Sequence, residues 1–157
     1  METLAPASIC RHVRLRTPTT RSTEFVDITD RLAALIDEAR LRLGFINIQT
    51  RHTTTAVVVN EHEPLLLDDF RDLLERAAPF TRSYRHDDPA RRRVNVTPGE
   101  RVNGHAHCRA LLLPAAVCLN VEAGRIQLGR WQRVFFVELD GPQDRELSIL
   151  LAGEARP

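Results

Sequence analysis

The stretch FINIQTRHTTTAVVVNE, residues 45–61, predicts two β-strands joined by a polar turn. The strands are expected at Phe45–Gln49 and Thr54–Val59, and the connection between them at Thr50–Thr53. Side chains alternate along an extended chain, so His52 and Thr54 would lie on one face. The second strand runs into Asn-Glu-His-Glu at residues 60–63, which places several polar groups where a buried strand ends.

Before this stretch, the sequence predicts a hairpin followed by a helix. Polar and apolar residues alternate over Ile9–Arg16, which predicts a strand, with Glu24–Ile28 as its hairpin partner. Thr29 is a suitable N-cap for a helix over Asp30–Leu43, and Gly44 is a suitable residue to end it.

After this stretch, the sequence predicts two helices separated by a long loop, and then a run of strands. Pro64 opens a helix that reaches about Ala77, residues 79–102 form an irregular loop, and Asn103–Leu112 forms a short helix. Four strands are expected near Val117–Val121, Ile126–Gly129, Val134–Leu139 and Leu147–Leu151. The pattern is that of an α+β fold with two main helices, formed as one domain over residues 1–157 with residues 1–7 frayed.

Composition excludes several classes of function. All 22 basic residues are arginine, so the chain has neither a Schiff-base lysine nor a P-loop lysine. The net charge is +1, which argues against a nucleic-acid partner, and no apolar run approaches the roughly 20 residues of a membrane span. The three cysteines form no CxxC pair and we find no secretory signal, so we expect a reducing, cytoplasmic location.

Three further groups of residues are candidates for chemistry. Tyr84–Asp88 lies in the long loop, Asn103–His107 opens the short helix, and Asp68, Asp69 and Asp72 follow Pro64. The acids also suit the first turns of a helix, whose dipole favours negative charge. The run Arg91–Arg93 is either a solvated part of the loop or a phosphate clamp. Spacing by itself matches neither a zinc finger nor the HExxH motif.

Five motifs in register resemble the YjbQ family of secondary thiamine-phosphate synthases. They are His52-Thr-Thr-Thr-Ala with Asn60-Glu61-x-Glu63-Pro64, Tyr84-Arg85-His86, Asn103-x-His-Ala-His107, Gly124-x-x-x-Leu128-Gly129-x-Trp131-Gln132, and Glu138-x-Asp140-Gly141-Pro142. Together they cover roughly residues 8–153. The resemblance implies a mostly antiparallel, barrel-like β-sheet packed with helices, and a homotrimer with sites near the subunit boundaries.

The resemblance also implies a site and a reaction. Its metal, commonly zinc, would be bound by His52, His86 and His107, an arrangement that leaves a coordination position open. The reaction joins hydroxymethylpyrimidine diphosphate to thiazole phosphate and releases pyrophosphate, so the partner is a small phosphorylated metabolite. Glu61 and Asp69 are candidates for a general base or for an orienting partner of a ligand histidine. Arginines would neutralise the departing diphosphate, with Arg51, Arg85 and Arg109 as candidates.

The chain departs from the family pattern at several positions. The family has a small turn containing glycine and serine after the third motif, whereas residues 110–116 read ALLLPAA, and Pro114 lacks an N–H donor. Arg130 stands where threonine is common, and Gln143 stands where arginine is common after Asp-Gly-Pro. Three functions therefore stay open: a metal-dependent enzyme, a non-catalytic protein that binds a small anion or metabolite on the same trimeric fold, and a structural oligomer.

Overall fold

In a computed structural model, which describes residues 7–156, the chain forms two antiparallel sheets and three α-helices. The strands are β1 (Ser8–Pro18), β2 (Glu24–Asp27), β3 (Leu41–Thr50), β4 (Thr55–Glu61), β5 (Ala116–Glu122), β6 (Arg125–Ile126), β7 (Gln132–Glu138) and β8 (Asp144–Ala155). The helices are α1 (Thr29–Glu38), α2 (Pro64–Ala77) and α3 (Gly104–Leu111), and a 3-10 turn spans Arg85–Asp87.

The two sheets together form a curled half-barrel. The larger has the strand order β1-β8-β3-β5-β6 and the smaller has the order β2-β7-β4. The predicted α+β class, with a mostly antiparallel, barrel-like sheet and two main helices, is confirmed. Within residues 7–156, no helix has the length and apolar character that a membrane crossing requires.

The smaller sheet lies in the middle of the molecule, which explains why its strands are apolar on both faces. Val57, Val134 and Phe136 point toward the larger sheet and α1. Their neighbours Ala56 and Phe135 point the other way, against α2 and α3. A strand that is covered on both sides loses polar alternation, as in AVVV of β4 and VFFV of β7. The molecule therefore has three layers: the larger sheet with α1, the smaller sheet, and α2 with α3.

The predicted hairpin between the first two strands is wrong. β1 pairs with β8 along its whole length, whereas β2 pairs with β7 in the other sheet. The connection between β1 and β2 crosses from one sheet to the other: Thr19 N–H bonds to Gln143 O (2.9 Å), and Thr23 has a positive φ of 52°. Alternation identified the strands but carried no information about their partners.

The predicted end of the first helix is also wrong. α1 stops at Glu38, and Arg40 takes the left-handed φ of 54° that was expected near Gly44. Gly44 instead lies inside β3 opposite Gly153, where a Cβ atom would stand 2.1 Å from Ala152 O. This glycine therefore permits close approach of two strands and does not cap a helix. The helix begins at Thr29, so the N-cap position falls on Ile28 and not on Thr29, and the Thr29 N–H donates to Asp27 Oδ1.

At the N-terminus, the predicted frayed segment falls mostly on residues 1–6, which lie outside the described residues. Ala7 accepts a hydrogen bond from Ala155 N–H at 2.7 Å.

Asp27 links β2, α1 and β7 at one point. Its Oδ1 accepts hydrogen bonds from the Thr29 N–H (2.9 Å) and hydroxyl (2.7 Å). Its Oδ2 contacts Arg133 Nε (2.7 Å) and His62 Nδ1 (3.0 Å). Burial alone would raise the pKa of Asp27, but the hydrogen bonds from Arg133, Thr29 and His62 outweigh it and lower the pKa from 3.8 to about 2.

We predict that Asp27→Asn lowers the free energy of unfolding by roughly 2 kcal/mol at pH 7, which is the value of such a pKa shift. Because the folded pKa lies below the unfolded one, this stabilisation is complete above about pH 4 and is lost as the pH falls toward 2. Urea unfolding of both proteins from pH 7 to 2 measures the difference. Asp72→Asn, at an exposed position of α2, is the control. A difference that does not change with pH would contradict the assignment.

Candidate active site

Two imidazoles meet where the long loop contacts the start of α3. The rings of His86 and His107 pack edge to face with centroids 4.5 Å apart. His86 belongs to the 3-10 turn in the loop, and His107 lies in the first turns of α3. The sequence segments that carry them are separated by 20 residues, so their contact depends on how the loop is attached to the helix.

Asp87 attaches the loop to the helix. Its Oδ1 accepts hydrogen bonds from the N–H groups of Asn103 (3.1 Å) and Gly104 (2.9 Å). These N–H groups lie at the N-terminus of α3, where the helix itself provides no acceptor for them. A carboxylate at this end of a helix is also favoured by the helix dipole. Gly104 leaves room for the contact, because a Cβ atom there would stand 2.5 Å from Tyr84 Cβ and 2.9 Å from Asp87 Oδ2.

A polar cavity of about 420 Å³ opens beside the histidine pair. We call it the histidine cavity. Its walls come from the long loop, the N-terminus of α3, the turn before β4, and the β7–β8 connection, and comprise Thr53, Thr54, His86, Arg92, Asn95, Glu100, Asn103, His107, Asp140, Gln143 and Arg145.

A buried ion pair supports one side of the histidine cavity. Glu138 is fully buried and binds Arg145 through two hydrogen bonds of 2.6 and 2.8 Å. Arg145 also donates to Thr54 Oγ1 at 3.1 Å, which joins β8 to the turn before β4. Burial alone would raise the pKa of Glu138, but the Arg145 contacts and the N–H groups of Gly141 and Asp140 lower it. The carboxylate is therefore ionised at neutral pH.

The same carboxylate shapes the connection between β7 and β8. Glu138 Oε1 accepts hydrogen bonds from the N–H groups of Asp140 and Gly141, both at 2.9 Å. The long loop contributes Arg101, which donates to Gly141 O and to Pro142 O. These contacts fix the turn that carries Asp140 and Gln143 into the wall of the cavity.

The pKa of His107 is lowered mainly by burial, and also by the electrostatic effect of the neighbouring His86 and Arg92. Burial and the positive charge of Arg145 lower the pKa of His52 in the same direction. Both imidazoles are therefore mainly neutral at pH 7, and a neutral imidazole can accept a proton.

His52 does not join the other two histidines. It lies in the turn between β3 and β4, not on a strand, and its Nε2 accepts the N–H of Glu146 at 3.3 Å. That bond occupies the lone pair a metal would need. Among residues 7–156, no group of three or more His, Cys, Asp or Glu side chains is arranged to hold a metal ion. The described side chains therefore do not fit a three-histidine zinc centre.

The three other predicted site residues lie outside the histidine cavity. Glu61 ends β4, about 20 Å of extended chain from Thr54 at the cavity. Asp69 is exposed on α2. Arg85 lines an adjoining cavity of about 440 Å³ together with His86, Arg91, Arg92, Arg93, Val94 and Asn95. The run Arg91–Arg93 thus faces a cavity next to the histidine pair, as the phosphate-clamp alternative requires.

Two arginines and one histidine named in the sequence have other surroundings. Arg51 is exposed in the turn after β3. Arg109 is buried and supports the α2–α3 packing through Glu75, the carbonyl of Ala78 and the hydroxyl of Thr23. The segment that carries His105 is helical. The His105 ring packs on Phe80, with centroids 4.7 Å apart, whereas the His107 ring packs on His86.

Sequence reasoning missed several side chains of the cavity. Arg145 carried no signal, because a charged residue in a strand usually indicates an exposed position, yet this one is 6% exposed. Asp140 and Asn103 lay inside quoted motifs, but neither residue was given a role. Asn103 is 8% exposed and its Oδ1 has no hydrogen-bond partner among the described residues. His86 Nε2 likewise lacks one, and Glu100 Oε1 lies 4.0 Å from it.

An antiparallel half-barrel with a histidine cavity at the α3 N-terminus defines the class of protein, and sequence comparison gives its family. The model of the family described as UPF0047 protein YjbQ-like matches residues 13–154. The chain therefore belongs to this family. A UPF0047 protein of Archaeoglobus fulgidus is 36% identical over 137 residues, covering 87% of this chain and 98% of the relative. One from Methanothermobacter thermautotrophicus is 35% identical over 136 residues, covering 87% of each.

Solved structures agree with this assignment. A YbjQ-like protein of unknown function from Sulfolobus solfataricus superimposes with a TM-score of 0.82 at 30% identity, covering 94% of this chain and all of the other. A hypothetical protein from Aeropyrum pernix gives a TM-score of 0.79 at 27% identity, with 92% of this chain and 98% of the other covered.

We predict that Asp87→Ala separates the two histidines. Loss of the cap should cost about 1 kcal/mol of stability, and the pKa of His107 should rise toward the ordinary value of 6.5 as the ring becomes solvated. Histidine ring signals followed by NMR over pH 5–8 measure the pKa. The neighbouring Asp88→Ala is the control, because within the described residues the Asp88 carboxylate contacts Ala90 N–H and Arg91 and not the N–H groups of α3. An unchanged His107 pKa in Asp87→Ala would contradict the proposed attachment.

Proposed function

We propose that this protein is an enzyme that performs group transfer or hydrolysis on a small phosphorylated metabolite. The proposal rests on one observation. His86 and His107 lie 4.5 Å apart, between centroids, at the wall of a cavity that also contains Arg92, Arg145 and Asp140. Paired imidazoles supply acid–base groups, and the arginines of the adjoining cavity, Arg85, Arg91 and Arg93, supply charge stabilisation next to them.

The histidines are the acid–base groups of this proposal. The lowered pKa of His107 keeps its ring neutral at pH 7, so it can accept a proton from a nucleophile. His86 Nε2 is buried and has no hydrogen-bond partner within the described residues, although Glu100 Oε1 lies 4.0 Å away, so its hydrogen-bonding capacity is unused. The contact between the rings holds both at the same point of the cavity.

The phosphate would occupy the adjoining arginine cavity. Arg85, Arg91 and Arg93 line it, and within residues 7–156 the one ion pair of these three arginines is Arg91 Nε to Asp88 Oδ2 at 4.0 Å. Guanidinium groups without a close carboxylate suit a phosphate, which they can bind through paired hydrogen bonds. Because the two cavities share the walls His86, Arg92 and Asn95, a phosphate there would bring the rest of the substrate to the histidines.

Within this class, thiamine-phosphate synthesis is the specific reaction that the family resemblance suggests. The proposed homotrimer would place a second chain near the cavity, and zinc remains a hypothesis for the assembled protein. No reaction step is assigned to a metal, because His52 bonds to Glu146 N–H in the described chain. We also propose a cytoplasmic location, which the free thiols of Cys10, Cys108 and Cys118 favour.

A non-catalytic binding protein is the second candidate, and Gln143 favours it. This residue lines the histidine cavity and supplies an amide where the family pattern has arginine, so one positive charge is missing from the wall. The altered turn at residues 110–116 gives less support to this candidate. This turn follows the C-terminal end of α3, whereas Asn103, which lines the cavity, stands at the N-terminal end of the helix. Pro114 O accepts a hydrogen bond from Val57 N–H (3.0 Å).

We predict that the purified protein converts hydroxymethylpyrimidine diphosphate and thiazole phosphate to thiamine phosphate. His107→Gln should lower the rate by about 100-fold or more, the usual contribution of a general base. His12→Gln, at an exposed position of β1, is the matched control and should keep the rate. Formation of thiamine phosphate and release of pyrophosphate are followed by chromatography.

Metal content measured on the same preparations tests the zinc hypothesis. If His86→Ala leaves both metal content and activity unchanged, the site assignment is wrong. If substrates raise the melting temperature without any turnover, the binding protein is the better description.

A further inference from the structure

The arginines that face the histidine cavity already have carboxylate partners. Arg145 is paired with Glu138, and Arg92 lies 2.9 Å from Glu100. With these two pairs neutral, the remaining charge on the wall is the carboxylate of Asp140. The histidine cavity is therefore not electropositive, in contrast to the adjoining arginine cavity.

Asp140 has no cationic partner among residues 7–156. Its Oδ2 accepts hydrogen bonds only from two neutral amides, Gln143 Nε2 at 3.2 Å and Asn103 Nδ2 at 3.4 Å. The contact with Gln143 is at the upper end of the range of about 2.7–3.2 Å for N–H···O hydrogen bonds, and the contact with Asn103 lies beyond it. The carboxylate therefore keeps capacity for a stronger donor.

Asn103 provides a second, independent sign of a missing donor. This side chain is 8% exposed and lines the same cavity, yet its Oδ1 has no hydrogen-bond partner among the described residues. A buried acceptor left unpaired lowers the stability of the folded chain, because it has lost its hydrogen bonds to water. A charged acceptor and a buried unpaired acceptor thus lie together, because Asn103 and Asp140 are hydrogen-bonded to each other.

We infer that the corner formed by Asp140 and Asn103 binds a hydrogen-bond donor of the ligand, namely an ammonium or amino group. This inference rests on the proposed function for the other half of the ligand, a phosphate in the arginine cavity. The substrate is then an amino-bearing phosphate ester or anhydride. Its anionic end faces Arg85, Arg91 and Arg93, and its amino end faces Asp140 past the histidine pair.

Three small probes test the two halves of the site separately. They are 2-aminoethyl phosphate, ethyl phosphate and ethylamine, titrated into the full chain by calorimetry with EDTA present so that no trace metal occupies the corner. We expect 2-aminoethyl phosphate to bind at least about tenfold more tightly than ethyl phosphate, the value of one hydrogen bond between charged groups.

The variant Asp140→Asn should reduce that preference to less than about threefold, while ethyl phosphate binds as before. Asp144→Asn is the matched control, because Asp144 is exposed and pairs with Arg16 outside the cavity. The comparison of probes on the unaltered protein needs no variant, so it stands even if Asp140→Asn folds poorly.

Each result separates the amine corner from the phosphate proposal. Equal affinity for the two phosphates, or a preference that survives Asp140→Asn, overturns the amine corner and leaves the phosphate proposal in place. Binding of ethylamine that depends on Asp140, with no binding of ethyl phosphate, supports the corner and overturns the phosphate proposal. Absence of binding by all three probes at concentrations of about 10 mM overturns both proposals, since even weak sites bind in that range.

Discussion

The candidate site depends on one interaction, the buried ion pair between Glu138 and Arg145. Glu138 ends β7 in the smaller sheet, and its partner Arg145 belongs to β8 in the larger one. A fully buried charge is tolerated only when it is paired and hydrogen-bonded. Here the arginine, two backbone N–H groups and the Thr19 hydroxyl (3.2 Å) meet that requirement. One side chain thus joins the sheets and orients the turn that carries Asp140.

The opposite side of the cavity depends on a different constraint, the attachment of the long loop to α3. Asp87 caps the helix, and Arg92 holds Glu100 within the loop. The two sides have different characters. The sheet side is rigid because it is buried, whereas the loop side is exposed over most of its length. A ligand that contacts both sides would therefore be held between a fixed carboxylate corner and a more adaptable arginine face.

The sequence was informative about elements and less so about their partners. Alternation in Ile9–Arg16 and Pro64 at a helix start identified β1 and α2, because both signals are local. The pairing of β2 with β7 was missed, since it joins residues more than 100 positions apart. The same limit applies to the site. The structure brings His86 and His107 together, whereas His52 bonds to a backbone N–H that no motif could have indicated.

Other parts of the site were hidden by the ordinary meaning of residue types. Glu138 and Arg145 are charged, which usually places residues at the surface, and only the folded chain shows that they bury each other. Glu61 was named as part of a motif and Asp69 as an acid that follows Pro64, but an extended strand carries Glu61 away from the cavity and Asp69 is exposed on α2.

The coupling energy between Glu138 and Arg145 tests the central claim most directly. It is obtained from the free energies of unfolding of the parent protein, Glu138→Gln, Arg145→Gln and the double variant. Because the pair is buried and bidentate, we predict a coupling of about 2 kcal/mol or more, near the upper end for contacting residues. A coupling below about 0.5 kcal/mol, the range of independent sites, would contradict the claim that this pair joins the sheets and supports the cavity.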